Sequence, residues 1–143
     1  MKVMILDDDP AIRTLLSIIF QRRGYKVFTY ANPSECPLYS SESCPCSLKD
    51  QCPDIIITDF DMPKATGIDF LEALRRKGCK CSNLALISGY SITDTILERE
   101  ANYGVRFFAK PFHWNQINEW LDQVEVSLKE DQQATNAPAS AMA

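Results

Sequence analysis

The sequence predicts an α/β domain built on a parallel sheet, and three observations carry that prediction. Short apolar runs alternate with amphipathic helical patterns from the first residue to about residue 128. The runs are nearly continuous in apolar character, as strands covered on both faces require. Glycines stand where the helical patterns stop, at Gly24, Gly78 and Gly104.

Each element follows in order. A first strand spans Val3 to Leu6, and Asp9 and Pro10 then supply an N-cap and a first-turn proline. Ile12, Leu15, Leu16, Ile19 and Phe20 recur at helical spacing behind them. A second strand spans Val27 to Tyr30. Residues 32–52 hold three prolines, five serines and four cysteines with hardly any helical stripe, so a short helix starting near Pro33 or Ser34 and then a loop are expected. The third strand is Ile55 to Thr58. Residues 65–77 form a helix on Ile68, Leu71 and Leu74, and the fourth strand is Leu84 to Ile87. A less regular helix at about 92–102 rests on Ile96 and Leu97. The fifth strand, Val105 to Ala109, precedes a helix over 113–128 carrying Ile117, Trp120, Leu121, Val124 and Leu128, with Trp114 also assigned to packing. Residues 129–143 lack the apolar groups that offset ordering entropy, and they read as a tail or the start of a linker.

Composition narrows the function. The chain has 143 residues, 45% of them hydrophobic, with 15 Lys and Arg against 19 Asp and Glu, for a net charge of −4. One domain is expected over residues 1–128. An acidic chain without a basic cluster is poorly suited to phosphate backbone, which argues against direct nucleic-acid binding. No apolar run reaches the roughly 18 residues of a membrane span or forms a signal-peptide core, so a soluble cytoplasmic protein is expected.

Open parallel sheets bind ligands beyond the carboxyl ends of their strands. Here the first strand runs into Asp7, Asp8 and Asp9, the third into Asp59, the fourth into Ser88 and the fifth into Lys110. Carboxylates held close together repel one another, and hard oxygen donors favour Mg2+. With a lysine and a hydroxyl beside them, they form a phosphoryl-transfer constellation whose acceptor is a carboxylate. Asp9 is expected to cap the first helix rather than to bind a ligand.

These residues, read as motifs, are similar to the receiver domains of two-component response regulators. The matching pieces are Ile5-Leu6-Asp7-Asp8-Asp9-Pro10 with Arg13, Asp59-Phe60-Asp61-Met62-Pro63 with Gly67, Ile87-Ser88-Gly89, and Phe107-Phe108-Ala109-Lys110-Pro111-Phe112. The resemblance implies a flavodoxin-like five-stranded sheet in the order 2-1-3-4-5. It also implies that Asp59 accepts a phosphoryl group from a sensor histidine kinase or phosphotransfer protein. Asp7, Asp8, Asp59 and the backbone carbonyl of Asp61 would then hold Mg2+, and Lys110 would pair with the acceptor across a cis bond to Pro111. Ser88 would shift toward the phosphoryl oxygens, and Phe107, where the family often has tyrosine, would turn inward. That change would repack the surface of the fourth helix, fifth strand and fifth helix for an unknown downstream protein. A homodimer through that surface, or a monomer, fits the family; such a domain is a signalling module and not an enzyme in the ordinary sense.

The cysteines depart from the family pattern. Cys36, Cys44, Cys46 and Cys52 fall within 17 residues, and Cys79 and Cys81 precede the fourth strand. Four thiolates suit a structural zinc, either as that local set or as Cys44, Cys46, Cys52 and Cys79. Disulfides, an oxygen-sensitive cluster and unliganded thiols are the other readings. Two alternative functions also stand. One is a haloacid-dehalogenase-like phosphatase, on the string Ile55 to Asp61, although Pro63 and the position of Asp7-Asp8 depart from that pattern. The other is a metal or redox sensor on a receiver scaffold.

Overall fold

A computed structural model describes residues 1–36, 39, 52–62, 65–89 and 104–136. The expected helix at 92–102 and the cysteines Cys44 and Cys46 lie outside the described residues. Two compact units divide the chain, residues 1–111 and residues 112–143.

The first unit carries a parallel sheet of β1 (Lys2–Leu6), β2 (Lys26–Tyr30), β3 (Ile55–Asp59), β6 (Asn83–Ser88) and β7 (Arg106–Ala109). Its order is β2-β1-β3-β6-β7, the doubly wound arrangement expected. A small antiparallel pair, β4 (Asp61–Met62) with β5 (Ala65–Thr66), follows β3 and had no counterpart in the sequence pattern. Register is continuous across the central strands: Met4 lies beside Ile56, Ile56 beside Leu84, and Asp59 beside Ile87.

Burial explains this arrangement. Every residue of β3 is buried, and β1 and β6 each have one half-buried residue, at the first position. The expectation of strands covered on both faces fails at the edges, where Lys26, Phe28 and Thr29 of β2 and Arg106 of β7 are exposed. An edge strand has a neighbour on one side only, and charged or polar side chains there discourage further pairing. Successive strand residues alternate between faces. One face gathers Met4, Leu6, Ile56, Leu84 and Leu86 with Phe70, Leu71 and Leu74.

The last three belong to α2 (Gly67–Arg76). Its start is a reciprocal capping box in which Thr66 Oγ1 accepts the Asp69 N–H and Asp69 Oδ2 accepts the Thr66 N–H. Helix α1 (Pro10–Arg22) begins as expected, with Asp9 Oδ1 accepting the Ala11 N–H at 2.9 Å. Gly24 follows at φ 85°, which a side chain would strain. In the segment after β2, the described residues show a 3-10 turn at Pro33–Glu35 capped by Asn32.

The second unit holds α3 (Trp114–Asn136). Its first turn is closed by side chains: His113 Nδ1 accepts the Asn115 N–H at 3.2 Å, and Gln116 Oε1 accepts the His113 N–H at 2.9 Å. Ile117, Trp120, Leu121 and Val124 are its buried stripe. Two expectations are corrected here. The helix runs to Asn136 instead of ending near Leu128, because Lys, Glu, Gln and Ala beyond that point are strong helix formers even without an apolar stripe. Trp114 is 53% exposed, its ring lying beside that of His113. Among the described residues, no helix is long and apolar enough to cross a membrane.

Candidate functional site

The carboxyl ends of β1, β3, β6 and β7 bring together the residues the sequence singled out. Asp7 leaves β1 with 1% of its surface exposed, Asp59 ends β3 at 4%, and Ser88 ends β6 at 2%. Asp8, one residue on, is exposed. One carboxylate oxygen from each of Asp7, Asp8 and Asp59 lies within 4.8 Å of the others, close enough for a single cation to touch all three.

Lys110 closes the site from β7. Its Nζ is 3.2 Å from Asp7 Oδ2 and 3.4 Å from Asp59 Oδ1, so one ammonium bridges two buried carboxylates. Its backbone N–H donates to the Ser88 carbonyl at 2.8 Å, and the bond to Pro111 is cis, as the resemblance implied. Ser88 lies beside Ala109 in the register, one residue beyond the pair formed by Asp59 and Ile87. Phe107 is half-buried and packs against the cluster that contains Met4 and Leu86.

Asp59 is held by its surroundings on several sides. Asp61 N–H points at its Oδ1 at 3.4 Å, and the buried Thr58 hydroxyl donates to its carbonyl at 3.0 Å. Gly67 N–H donates to the Phe60 carbonyl at 2.7 Å, drawing the start of α2 against the end of β3. In the sequence Gly67 stands out only as a motif member, and this close approach is the physical reason for a glycine there.

Electrostatics follow from the burial. Desolvation, then the Asp7 charge, push the Asp59 carboxyl up from 3.8 to about 6, even though Lys110 opposes the shift. Asp7 is also raised, chiefly by burial. Burial alone would lower Lys110, but Asp59 and Asp7 outweigh it and hold the ammonium above its ordinary value.

These shifts set a pH dependence. A carboxyl raised on folding binds its proton more tightly in the folded chain, so its contribution to stability is full below about pH 4 and is lost as pH rises through about 6. In chelator, thermal unfolding should show the protein less stable at pH 7.5 than at pH 5 by on the order of 1 kcal/mol from this group. Asp59→Asn should remove most of that difference; an equal slope in the variant would contradict the assignment.

Both four-thiolate sets include Cys44 and Cys46, which lie outside the described residues. Among the described residues, the three aspartates are the sole group of three or more possible ligands close enough to share an ion. Cys36, Cys79 and Cys81 are buried thiols inside the apolar cluster, and the Cys36 thiol points at Met4 Sδ at 3.5 Å. They act as small apolar side chains. Cys52 is disulfide-bonded. Zinc at the cysteines is not supported.

The model of the response regulator receiver domain matches residues 3–122. The chain belongs to that family. A receiver domain is a signalling module and not a conventional enzyme, and the family assignment displaces the phosphatase alternative. Among relatives of this receiver domain, Sporulation initiation phosphotransferase F of Bacillus subtilis is 30% identical over 82% of the chain and 88% of its own length. The protein named "Probable chemotaxis protein CheY" of Rhizobium etli is 30% identical over 90% of the chain and 95% of its own. Two transcriptional regulatory proteins also match, and the chain spans 45% and 53% of their lengths. The crystal structure of chemotaxis protein CheY4 of Vibrio cholerae superposes with a TM-score of 0.67 at 26% identity, covering 86% of this chain and 97% of that one.

Proposed function

We propose that this receiver domain is a phosphorylation switch whose acceptor is Asp59. The observation that carries the reading is the convergence of Asp7, Asp8 and Asp59 with Lys110 at one end of the sheet. An Asp59 carboxylate oxygen attacks phosphorus, and its O–P bond forms as the N–P bond of a donor phosphohistidine breaks. The donor is a sensor histidine kinase or a phosphotransfer protein in the cytoplasm.

Three hard carboxylates within reach of one ion fit Mg2+, with Asp7, Asp8, Asp59 and the carbonyl of Asp61 as its ligands. The bound ion supplies positive charge that lets an anionic phosphoryl group approach an anionic acceptor. Lys110, already on Asp59 Oδ1, passes to a phosphoryl oxygen. The Ser88 hydroxyl donates to another, and Phe107 turns inward on β7, which a downstream protein reads as a two-state packing change.

The test is intact-mass measurement after incubation with a small phosphodonor. With Mg2+ the mass should rise by one phosphoryl group, and with chelator it should not. An unchanged mass in the presence of Mg2+ would overturn the reading.

A further inference from the structure

Asp7 is engaged at each of its polar atoms. Its N–H donates to the Tyr30 carbonyl at 3.2 Å, its Oδ1 accepts the Asp9 N–H at 2.8 Å, and its Oδ2 faces Lys110 Nζ at 3.2 Å. The fourth contact is of another kind. Arg13 Nη1, from α1, reaches back six residues and donates to the Asp7 carbonyl at 2.6 Å. A charged side chain thus bonds to main chain at the point where β1 gives way to the acidic loop.

That carbonyl belongs to the peptide joining Asp7 to Asp8, and a peptide is planar. Fixing its oxygen fixes the direction in which Asp8 departs. Asp8 needs such guidance, because it is exposed and burial does not orient it, unlike Asp7 and Asp59. Arg13 is itself held, its N–H on the Asp9 carbonyl at 3.1 Å and its carbonyl accepting the Ser17 hydroxyl at 2.6 Å. Charge-assisted hydrogen bonds are stronger than neutral ones, and a guanidinium keeps its charge at any working pH.

We infer that Arg13 is a positioning residue for the acidic pocket, setting Asp8 against Asp7 and Asp59 by anchoring the peptide between the two adjacent ligands. The inference rests on the reading of that pocket as a Mg2+ site. Arg13 touches neither the ion nor the phosphoryl group; it lowers the reorganisation needed when the ion binds, as outer partners of metal ligands do.

The experiment is calorimetric titration of Mg2+ into the whole chain. Arg13→Met, which keeps an unbranched stem and helix preference but has no donor, should weaken binding about tenfold. Arg13→Lys, a shorter cationic donor, should recover part of the loss. In phosphorylation by a small phosphodonor, the half-saturating Mg2+ concentration of Arg13→Met should rise by the same factor, while the rate at saturating Mg2+ stays within about twofold of the wild type. A defect of folding would instead lower the plateau. Arg13→Gln, an uncharged donor, gives the same comparison if the methionine variant does not fold, with a loss of about threefold expected. Wild-type affinity in the variants, or a lowered plateau with unmoved Mg2+ dependence, overturns the inference. A wild-type chain that takes up no Mg2+ overturns the metal reading itself, a result distinguishable from the failure of Arg13 alone.

Discussion

Asp59→Asn should abolish phosphoryl uptake, lowering the rate by more than about 10³-fold with a small phosphodonor and Mg2+. The amide is nearly the same size but has no anionic oxygen to attack phosphorus. No neighbour replaces it. Asp7 is more deeply buried, with Oδ1 on the Asp9 N–H and Oδ2 on Lys110, while Asp8 is exposed on the loop beyond β1. The variant should remain folded, because it removes one of two carboxylates that repel each other beside a single ammonium. Its unfolding midpoint in chelator at neutral pH should equal or exceed that of the wild type. Intact mass and thermal unfolding on the same sample separate the two effects. A phosphorylated Asp59→Asn protein would move the acceptor elsewhere.

Gly67→Ala should cost about 3 kcal/mol of stability, measured by urea unfolding. A Cβ at this position would stand 2.2 Å from the Asp59 carbonyl oxygen and 2.7 Å from Leu86 Cδ1. Leu86 can turn aside, but the carbonyl is main chain of the central strand, on the acceptor residue itself. Relief therefore requires α2 to back away from β3 or Asp59 to shift, and the second response would also slow phosphorylation. Gly24 offers a contrast: nothing lies within 4 Å of its added Cβ, and the objection there is the positive φ alone. A loss under about 1 kcal/mol at Gly67 would show that the contact relaxes easily.

The parts of the molecule legible in the sequence are those ruled by local pattern. Strands β1, β3 and β6 stand within a residue or two of their apolar runs, because a strand buried on both faces admits little else. Asp7, Asp59, Ser88 and Lys110 could be found from strand ends because a parallel sheet sends all such ends to one edge. What depends on which segments meet in space was not legible. The short pair β4 and β5 has only two residues in each strand, too few for a periodicity. The approach of Gly67 to Asp59 joins residues whose closeness no spacing encodes. The hold of Arg13 on the Asp7 carbonyl had a weak signal, an arginine one helical turn past the acidic run, but its target is a backbone atom. The cysteines stayed ambiguous for a related reason. A thiol serves equally as a metal ligand or as a small apolar side chain, and Cys36, Cys79 and Cys81 turned out to be the latter.

That sulfur content gives the core a chemical property of its own. Cys36, Cys79 and Cys81 share their cluster with Met4 and Met62, and burial pushes the Cys81 thiol up to about 12. At neutral pH the Cys81 side chain therefore stays protonated in the closed molecule, and thiolate is the form that alkylating reagents attack. Labelling therefore waits for the interior to open, and its rate measures how often the packing around α2 breathes. The thiols are a built-in clock for native-state fluctuations, ticking at a pace that any ligand favouring the closed form would slow.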